Sequence, residues 1–231
     1  MEFQFSGNTG NNTPPKIYHE TQRLQLCGLH ALNNLFQDGN AFTKKDLDNI
    51  CTRLCPKEIF NPYRSTFAVG NYDINVLMVA VQSKGYDMLW FNKTRNLKCL
   101  VLENIEGFIL NIPCGNIIMK LISQGKHWIT IRKIGNVYYS LDSNNKAPVE
   151  IGNDDELLVH LCEQLNNNHT ELFLIVTPDV DKNKSWFRQL PPEEEWGNPL
   201  TKPLDPKKKK SETACESEDS SDTTQNGCNL I

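Results

Sequence analysis

The chain has 231 residues, which is room for one domain of ordinary size with extra length rather than for two full domains. A formal net charge of −4 argues against nucleic acid as a partner, and no apolar run approaches the ~18 residues of a membrane span. The polar stretch from Met1 to Pro15 lacks the apolar segment of a secretory signal, so we expect the eight cysteines to be reduced thiols in the cytoplasm, with the nucleus not excluded.

Changes in composition indicate where the folded unit begins and ends. Residues 1–15 include a run of glycine, asparagine, threonine and proline that offers nothing to bury, so we expect a disordered leader. Residues 181–231 are rich in proline and in blocks of like charge, which is typical of a mostly disordered tail. Within that tail, Trp186 and Phe187 are able to dock a short return segment on the domain. The folded unit is therefore predicted to span residues 16–180.

Apolar spacing and capping residues predict the elements of this unit in chain order. Three helices come first: one begins near Cys27, a second follows the capping-box residue Thr43, and a third follows Asp73. The later elements are strands at 86–91, 108–112, 128–134 and 137–142, a helix near 154–165 and a last strand at 172–177. Helices followed by an antiparallel sheet are typical of an α+β fold.

The third and fourth predicted strands form a hairpin that brings an imidazole and a carboxylate together. With the turn centred on residues 135–136, Ile134 pairs with Val137. His127 and Asp142 then lie diagonally on one face of the sheet, about 7–8 Å apart between backbones, within reach of a hydrogen bond. A surface histidine beside a surface aspartate is the alternative interpretation of this geometry.

Cys27 lies at the predicted start of the first helix, where unpaired backbone N–H groups and the positive end of the helix dipole favour a thiolate. A thiolate nucleophile needs a base and a group that orients the base, and His127 and Asp142 would supply both. Gln22 and Gln25 precede the cysteine, and a side-chain amide can donate to an oxyanion. A buried structural cysteine is the alternative, because Cys27 and His127 are far apart in sequence.

Three blocks of the chain resemble, in order, the motifs of the Josephin-domain cysteine proteases. The blocks are IYHETQ at 17–22 with Leu26-Cys27, His30 and LNNL at 32–35, then GNYDINVL at 70–77, then HW at 127–128 with YSLDS at 139–143. The resemblance covers residues 16–180. It is closer to the short Josephin-domain-containing proteins than to the ataxin linked to polyglutamine disease, because position 142 is Asp and the tail has no glutamine tract.

This resemblance implies a papain-like fold, with helices packed on a central antiparallel sheet, and a deubiquitinating thiol peptidase. By the matching positions, Cys27 is the nucleophile and His127 the general base and acid. Asp142 orients the imidazole, and Gln22 supplies the oxyanion donor, whereas the second glutamine has no counterpart in the motif. His30, on the first helix without a partner acid, is expected to be structural.

The reaction implied is hydrolysis of the bond after the C-terminal glycine of ubiquitin through a thioester. Ubiquitin and ubiquitinated proteins are then the partners, and the chemistry needs no metal or organic cofactor. A catalytically weak ubiquitin-binding module is one alternative function. A membrane-tethered regulatory protein, in which the tail dominates, is another.

Membrane association rests on the last four residues, 228–231, which have the C-a-a-X form of a prenylation signal on Cys228. The four lysines at 207–210 would add a basic patch attracted to an anionic leaflet. A plain disordered tail is the alternative, because acidic residues at 216–222 lie between the two features and a four-residue match arises readily by chance.

Overall fold

The computed structural model of the protein describes residues 16–22, 26–56, 72–114 and 126–195. The leader, Gln25, the lysines at 207–210 and Cys228 lie outside these described residues, so the expectations stated for them stay predictions. Within the described ranges, no helix has the length and apolar character needed to cross a membrane.

The described elements are six helices, two 3₁₀ turns and six strands. The helices are Cys27–Phe36 (α1), Lys44–Leu54 (α2), Ile74–Ser83 (α3), Asp154–Leu165 (α4), Pro178–Asn183 (α5) and Pro192–Glu195 (α6), with 3₁₀ turns at Leu97–Cys99 and Leu102–Asn104. The strands are Asp87–Trp90 (β1), Gly107–Pro113 (β2), Lys126–Ile134 (β3), Val137–Leu141 (β4), Val149–Gly152 (β5) and Glu171–Val176 (β6). The strands form one antiparallel sheet in the order β1-β6-β2-β3-β4-β5, which confirms the predicted α+β fold.

Capping side chains account for the start of α2 and α3. Thr43 accepts a hydrogen bond from the Asp46 N–H, and the Asp46 carboxylate accepts one from the Thr43 N–H, which completes a capping box. Asp73 caps α3 by accepting from the Asn75 N–H at 2.9 Å. Both residues were predicted as caps, because their side chains satisfy amides that a helix leaves unpaired.

Helices cover both faces of the sheet. On one face, α1, α2 and α3 pack against buried side chains that include Ile109, Trp128 and Phe173. On the opposite face, α4 and the 3₁₀ turns pack against a second set that includes Phe108 and Leu174. Because alternate residues of a strand point to opposite faces, the central strands have apolar side chains in both layers.

Side-chain hydrogen bonds to the main chain fix α1 to the β3–β4 hairpin. Thr130 Oγ1 donates to the carbonyl of Ala31 at 2.6 Å, and Asn34 Nδ2 donates to the carbonyl of Leu141 at 3.1 Å. These bonds run in both directions between the two elements, and all four residues are buried. The start of α1 is therefore held at a defined position relative to the first residues of β3.

The β3–β4 hairpin has the register that the turn dipeptide predicts. Ile134 pairs with Val137 and Thr130 pairs with Leu141. Gly135 has a φ of 63°, a left-handed conformation that glycine adopts without a steric penalty. The pairing brings Asp142, the residue after β4, next to the first residues of β3.

The packed chain extends past residue 180. The proline and charge content of the sequence predicts that the folded unit ends at that residue. Trp186 and Phe187 join the core on the α4 side of the sheet, and the Val101 N–H donates to the Trp186 carbonyl at 2.9 Å. The Arg188 N–H donates to the Cys99 carbonyl at 2.8 Å. The predicted docking of the two aromatic residues is confirmed.

Candidate active site

Cys27 is the first residue of α1, as predicted, and is 2% exposed. The preceding residue, Leu26, contributes no side-chain cap, and the first turn contains no acidic residue. An anion formed at Sγ would therefore face the amide groups and positive dipole end of the helix without competition from a carboxylate in that turn.

Gly28 shows how closely the start of α1 lies against the strand that contains His127. A Cβ atom added at Gly28 would be 3.5 Å from Trp128 Cδ1 and 3.3 Å from Leu77 Cδ1. Trp128 is itself fixed, because its Nε1 donates to the carbonyl of Tyr72 at 3.1 Å. A side chain at position 28 would crowd Leu77, whereas it would be in ordinary contact with Trp128, the neighbour of His127.

His127 joins the cysteine and the aspartate in one constellation. Its Nε2 lies 2.7 Å from Asp142 Oδ1, so the predicted imidazole–carboxylate contact is present. The other ring nitrogen, Nδ1, is buried and has no hydrogen-bond partner among the described residues. The Cys27 thiol interacts with the ring, and Nδ1 is the nitrogen that Asp142 leaves available to it.

The protonation states follow from the surroundings of each group. Burial lowers the pKa of His127, but the hydrogen bond to Asp142, the interaction with the neighbouring Cys27 and the negative charge of the Asp142 carboxylate outweigh it and raise the pKa to about 9. Burial raises the pKa of Asp142, but hydrogen bonds from His127 and the Asn144 N–H and the charges of His127 and His19 outweigh it, so the pKa is lowered. At neutral pH the pair is an imidazolium donating from Nε2 to a carboxylate.

This pair predicts a loss of stability on the alkaline side. The pKa of His127 rises from an ordinary 6.5 to about 9 on folding, so protonated His127 stabilises the folded state fully below pH 6.5. That contribution is lost as the pH rises through 9. This contribution is measured by urea unfolding of the wild type and of His127→Gln, which gives the free energy of unfolding of each protein below pH 6.5 and above pH 9. We expect the free energy of unfolding of the wild type to fall relative to that of the variant, and a constant difference would contradict the assignment.

Gln22 is held beside this constellation by Ser143, the residue after Asp142. The Gln22 N–H donates to the Ser143 carbonyl at 2.5 Å, and Ser143 Oγ donates to Gln22 Oε1 at 3.1 Å. Because the Ser143 hydroxyl donates a hydrogen bond to the amide oxygen, the orientation of the amide is fixed, and the Gln22 NH₂ group remains available to donate to another acceptor. Ser143 is 3% exposed and lies inside a motif block, yet the sequence alone assigned it no role.

His30 has a partner acid, so the expectation that it has none is wrong. Its Nδ1 is within hydrogen-bond distance of Glu20 Oε2, and Glu20 Oε1 also accepts from Asn33 Nδ2 at 3.0 Å. The Glu20 N–H donates to Asn34 Oδ1 at 2.8 Å. The partner lies outside the helix, in the segment that ends at Gln22, so His30 anchors that segment to α1 and has a structural role.

Of the residues after Asp142, Asn144 contacts the site directly, and Asn145 contacts His19, whose charge acts on Asp142. Asn144 places Nδ2 3.0 Å from His127 Nε2, and the Asn145 carbonyl accepts from His19 Nε2 at 2.9 Å. Sequence reasoning missed both contacts. Their proximity to Asp142 in the chain is the one signal that could have suggested them.

Comparison with known proteins gives a consistent result. The family model described as Josephin matches residues 22–176. The Josephin-like protein of Drosophila melanogaster is 44% identical over 184 residues, which cover 78% of this chain and 83% of that protein. Josephin-2 of Homo sapiens is 40% identical over 179 residues, 76% of this chain and 94% of that protein. Ataxin-3 of Homo sapiens is 26% identical over 177 residues, 69% of this chain and 45% of that protein.

Proposed function

Since the chain belongs to the Josephin family, we propose that it is a thiol peptidase that hydrolyses the bond after the C-terminal glycine of ubiquitin. The observation that carries the proposal is the arrangement around His127. Its Nε2 bonds Asp142 at 2.7 Å while the buried Nδ1 is left for the thiol at the start of α1. Ubiquitin is the substrate that the family resemblance implies.

In the first half of the reaction, Cys27 Sγ attacks the carbonyl carbon of the substrate. The proton that the thiol gives up resides on His127 Nδ1 when Sγ attacks, so the ring is an imidazolium at this step. The carbon–nitrogen bond then breaks, and His127 returns the proton to the departing amine. The product of this half is a thioester between Cys27 and the terminal glycine of ubiquitin.

In the second half, His127 accepts a proton from water as the water oxygen attacks the thioester carbon. The carbon–sulfur bond breaks, and the proton returns to Cys27 Sγ. The free carboxyl group of ubiquitin leaves the site. Asp142 keeps the imidazole oriented in both halves by accepting from Nε2, and its ionised form stabilises the imidazolium.

Each half passes through a tetrahedral intermediate whose oxyanion needs donors. The Gln22 NH₂ group is one candidate, because Ser143 occupies its oxygen. The backbone N–H of Cys27 is a second, because the start of α1 has no side-chain cap from Leu26. Donors that are fixed in advance stabilise the developing charge without reorganisation.

The function is tested with full-length ubiquitin that has a fluorogenic amide at its C-terminal carboxyl. The matched control is the same fluorophore on a peptide of the last residues of ubiquitin. We expect release from ubiquitin with slow release or none from the peptide. Absence of release from ubiquitin would contradict the proposal.

Removal of the oxyanion donor is expected to affect turnover rather than binding. Gln22→Ala should lower kcat by about 10²–10³-fold with little change in KM, because one donor stabilises the transition state and not the bound substrate. Ser143→Ala should give a smaller loss of kcat, since the amide remains but is no longer oriented. Both values come from progress curves with the fluorogenic ubiquitin.

The control for this prediction is Gln37→Ala at the end of α1. The Gln37 side chain also bonds the 16–22 segment, accepting from the Tyr18 N–H at 3.0 Å and donating to the Tyr18 carbonyl at 3.2 Å, at the opposite end of α1 from Cys27. A loss of kcat equal to that of Gln22→Ala would mean that the segment as a whole matters, rather than the Gln22 amide. An unchanged kcat in Gln22→Ala would assign the oxyanion to other donors.

A further inference from the structure

Asn144 contacts the imidazole–carboxylate pair at two points. Its backbone N–H donates to Asp142 Oδ1 at 2.9 Å, and its side-chain amide lies 3.0 Å from His127 Nε2. The same Asp142 oxygen accepts from His127 at 2.7 Å. Nε2 therefore has two neighbouring side chains within hydrogen-bond distance, one charged and one neutral.

The chemistry of the ring decides how the amide must be oriented. An imidazolium has an N–H at Nε2. If the amide NH₂ group faced that N–H, two hydrogen-bond donors would be in contact and neither would have an acceptor. A half-turn about the Cβ–Cγ bond of Asn144 exchanges the amide nitrogen and oxygen. In that orientation Asn144 Oδ1 accepts from Nε2–H beside Asp142 Oδ1, and a donor–donor contact becomes a shared hydrogen bond.

We propose that Asn144 is a second positioning residue for His127, whose side-chain amide oxygen shares the Nε2–H bond with Asp142 and holds the ring toward Cys27. The consequence for hydrolysis rests on the proposed function, whereas the contact with the ring does not. Asp142 makes the larger contribution, because hydrogen bonds to a charged acceptor are roughly twice as strong as neutral ones. Asn144 is exposed and His127 is 2% exposed, so the amide borders solvent while the ring does not.

The alternative is that Asn144 acts only through its backbone N–H, which shapes the turn after β4. Substitution of the side chain separates the two roles, because every variant keeps that N–H. Asn144→Leu removes the amide at similar size, and Asn144→Asp restores an oxygen acceptor. Lys146→Ala is the matched control, an exposed residue of the same loop.

The deciding measurement is an ¹⁵N NMR titration of the His127 ring in the full chain, without ubiquitin. The titratable groups that act on this ring are Cys27 and Asp142, and His19 acts on Asp142, so all three are kept in every variant. Asn144→Leu should lower the His127 midpoint by about 0.5–1 pH unit, the effect of losing one neutral hydrogen bond. Asn144→Asp should raise the midpoint above that of the Leu variant, and Lys146→Ala should leave it at the wild-type value. A midpoint that does not move in Asn144→Leu would overturn the proposal.

Hydrolysis of the fluorogenic ubiquitin by the same variants separates this inference from the proposed function. Asn144→Leu should lower kcat by about three- to tenfold at unchanged KM, in line with one neutral hydrogen bond. Normal hydrolysis together with an unmoved midpoint would overturn the role of Asn144 alone. A shifted midpoint in a protein that does not hydrolyse ubiquitin would support the contact and overturn the proposed function.

Discussion

Replacement of Cys27 by serine is expected to abolish turnover of the fluorogenic ubiquitin, with a loss on the order of 10⁴–10⁶-fold in kcat. A hydroxyl is far harder to ionise than a thiol, so the imidazole of His127 cannot activate it to the same degree. The fold should survive, because the exchange removes little volume from a side chain that is 2% exposed. The measurement is the initial rate of fluorophore release, with the thermal unfolding midpoint as a check on folding.

Cys55→Ser is the matched control for the nucleophile. Cys55 is another free thiol, half-buried just after the end of α2, and it is not part of the constellation around His127. We expect the wild-type rate from this variant. A wild-type rate from Cys27→Ser, or a loss of rate in Cys55→Ser, would show that the nucleophile is assigned to the wrong residue.

Substitution of His127 is expected to lower kcat by about the same factor as substitution of Cys27, because the two residues act as a unit. Glutamine keeps much of the volume of the buried imidazole but can neither accept the thiol proton nor return it to the amine. The double variant Cys27→Ser, His127→Gln should therefore be about as slow as either single variant. Asp142→Ala should lose less, since the imidazole remains although its orientation is weakened.

The control for this prediction is His160→Gln on α4. His160 is a half-buried histidine whose pKa is lowered by burial, and α4 packs on the face of the sheet opposite α1. Its variant should turn over ubiquitin at the wild-type rate. Losses in the double variant that multiply, rather than coincide, would indicate that Cys27 and His127 do not act on one reaction step.

Local features of the sequence predict much of this fold. The turn dipeptide at 135–136 fixes the register of β3 and β4, because a two-residue turn leaves one pairing for the flanking strands. Thr43 and Asp73 predict where α2 and α3 begin, since a capping side chain binds amides only one turn away. The helix predicted near 154–165 is α4, Asp154–Leu165.

Other features depend on tertiary packing and were not accessible to local patterns. The partner of His30 is Glu20, which lies in an extended segment rather than on the same helix. β5 was missed because Val149 and Glu150 are both exposed, so this short edge strand has no alternation of buried and exposed residues. The sequence around Trp186 is rich in charged residues. Its large apolar side chain is therefore the one local signal that it packs in the core.

In the candidate site, too, some contacts follow from local sequence and others depend on tertiary packing. The approach of His127 to Asp142 follows from one hairpin, and the sequence predicts it. The approach of Cys27 to the hairpin depends on α1 being fixed by contacts such as that of Thr130 with Ala31, which join distant parts of the chain. The family motifs indicated these residues, whereas the roles proposed for Ser143 and Asn144 rest on hydrogen bonds that no sequence motif predicts.

The most direct test of the central claim is covalent labelling by full-length ubiquitin that has an electrophile in place of its C-terminal carboxylate. The wild-type chain should gain the mass of one ubiquitin, and peptide mapping should place the adduct on Cys27. Cys27→Ser should remain unlabelled, whereas Cys55→Ser should be labelled like the wild type. A chain that stays unlabelled, or an adduct on a cysteine other than Cys27, would contradict the assignment of Cys27 as the nucleophile of a ubiquitin-directed thiol peptidase.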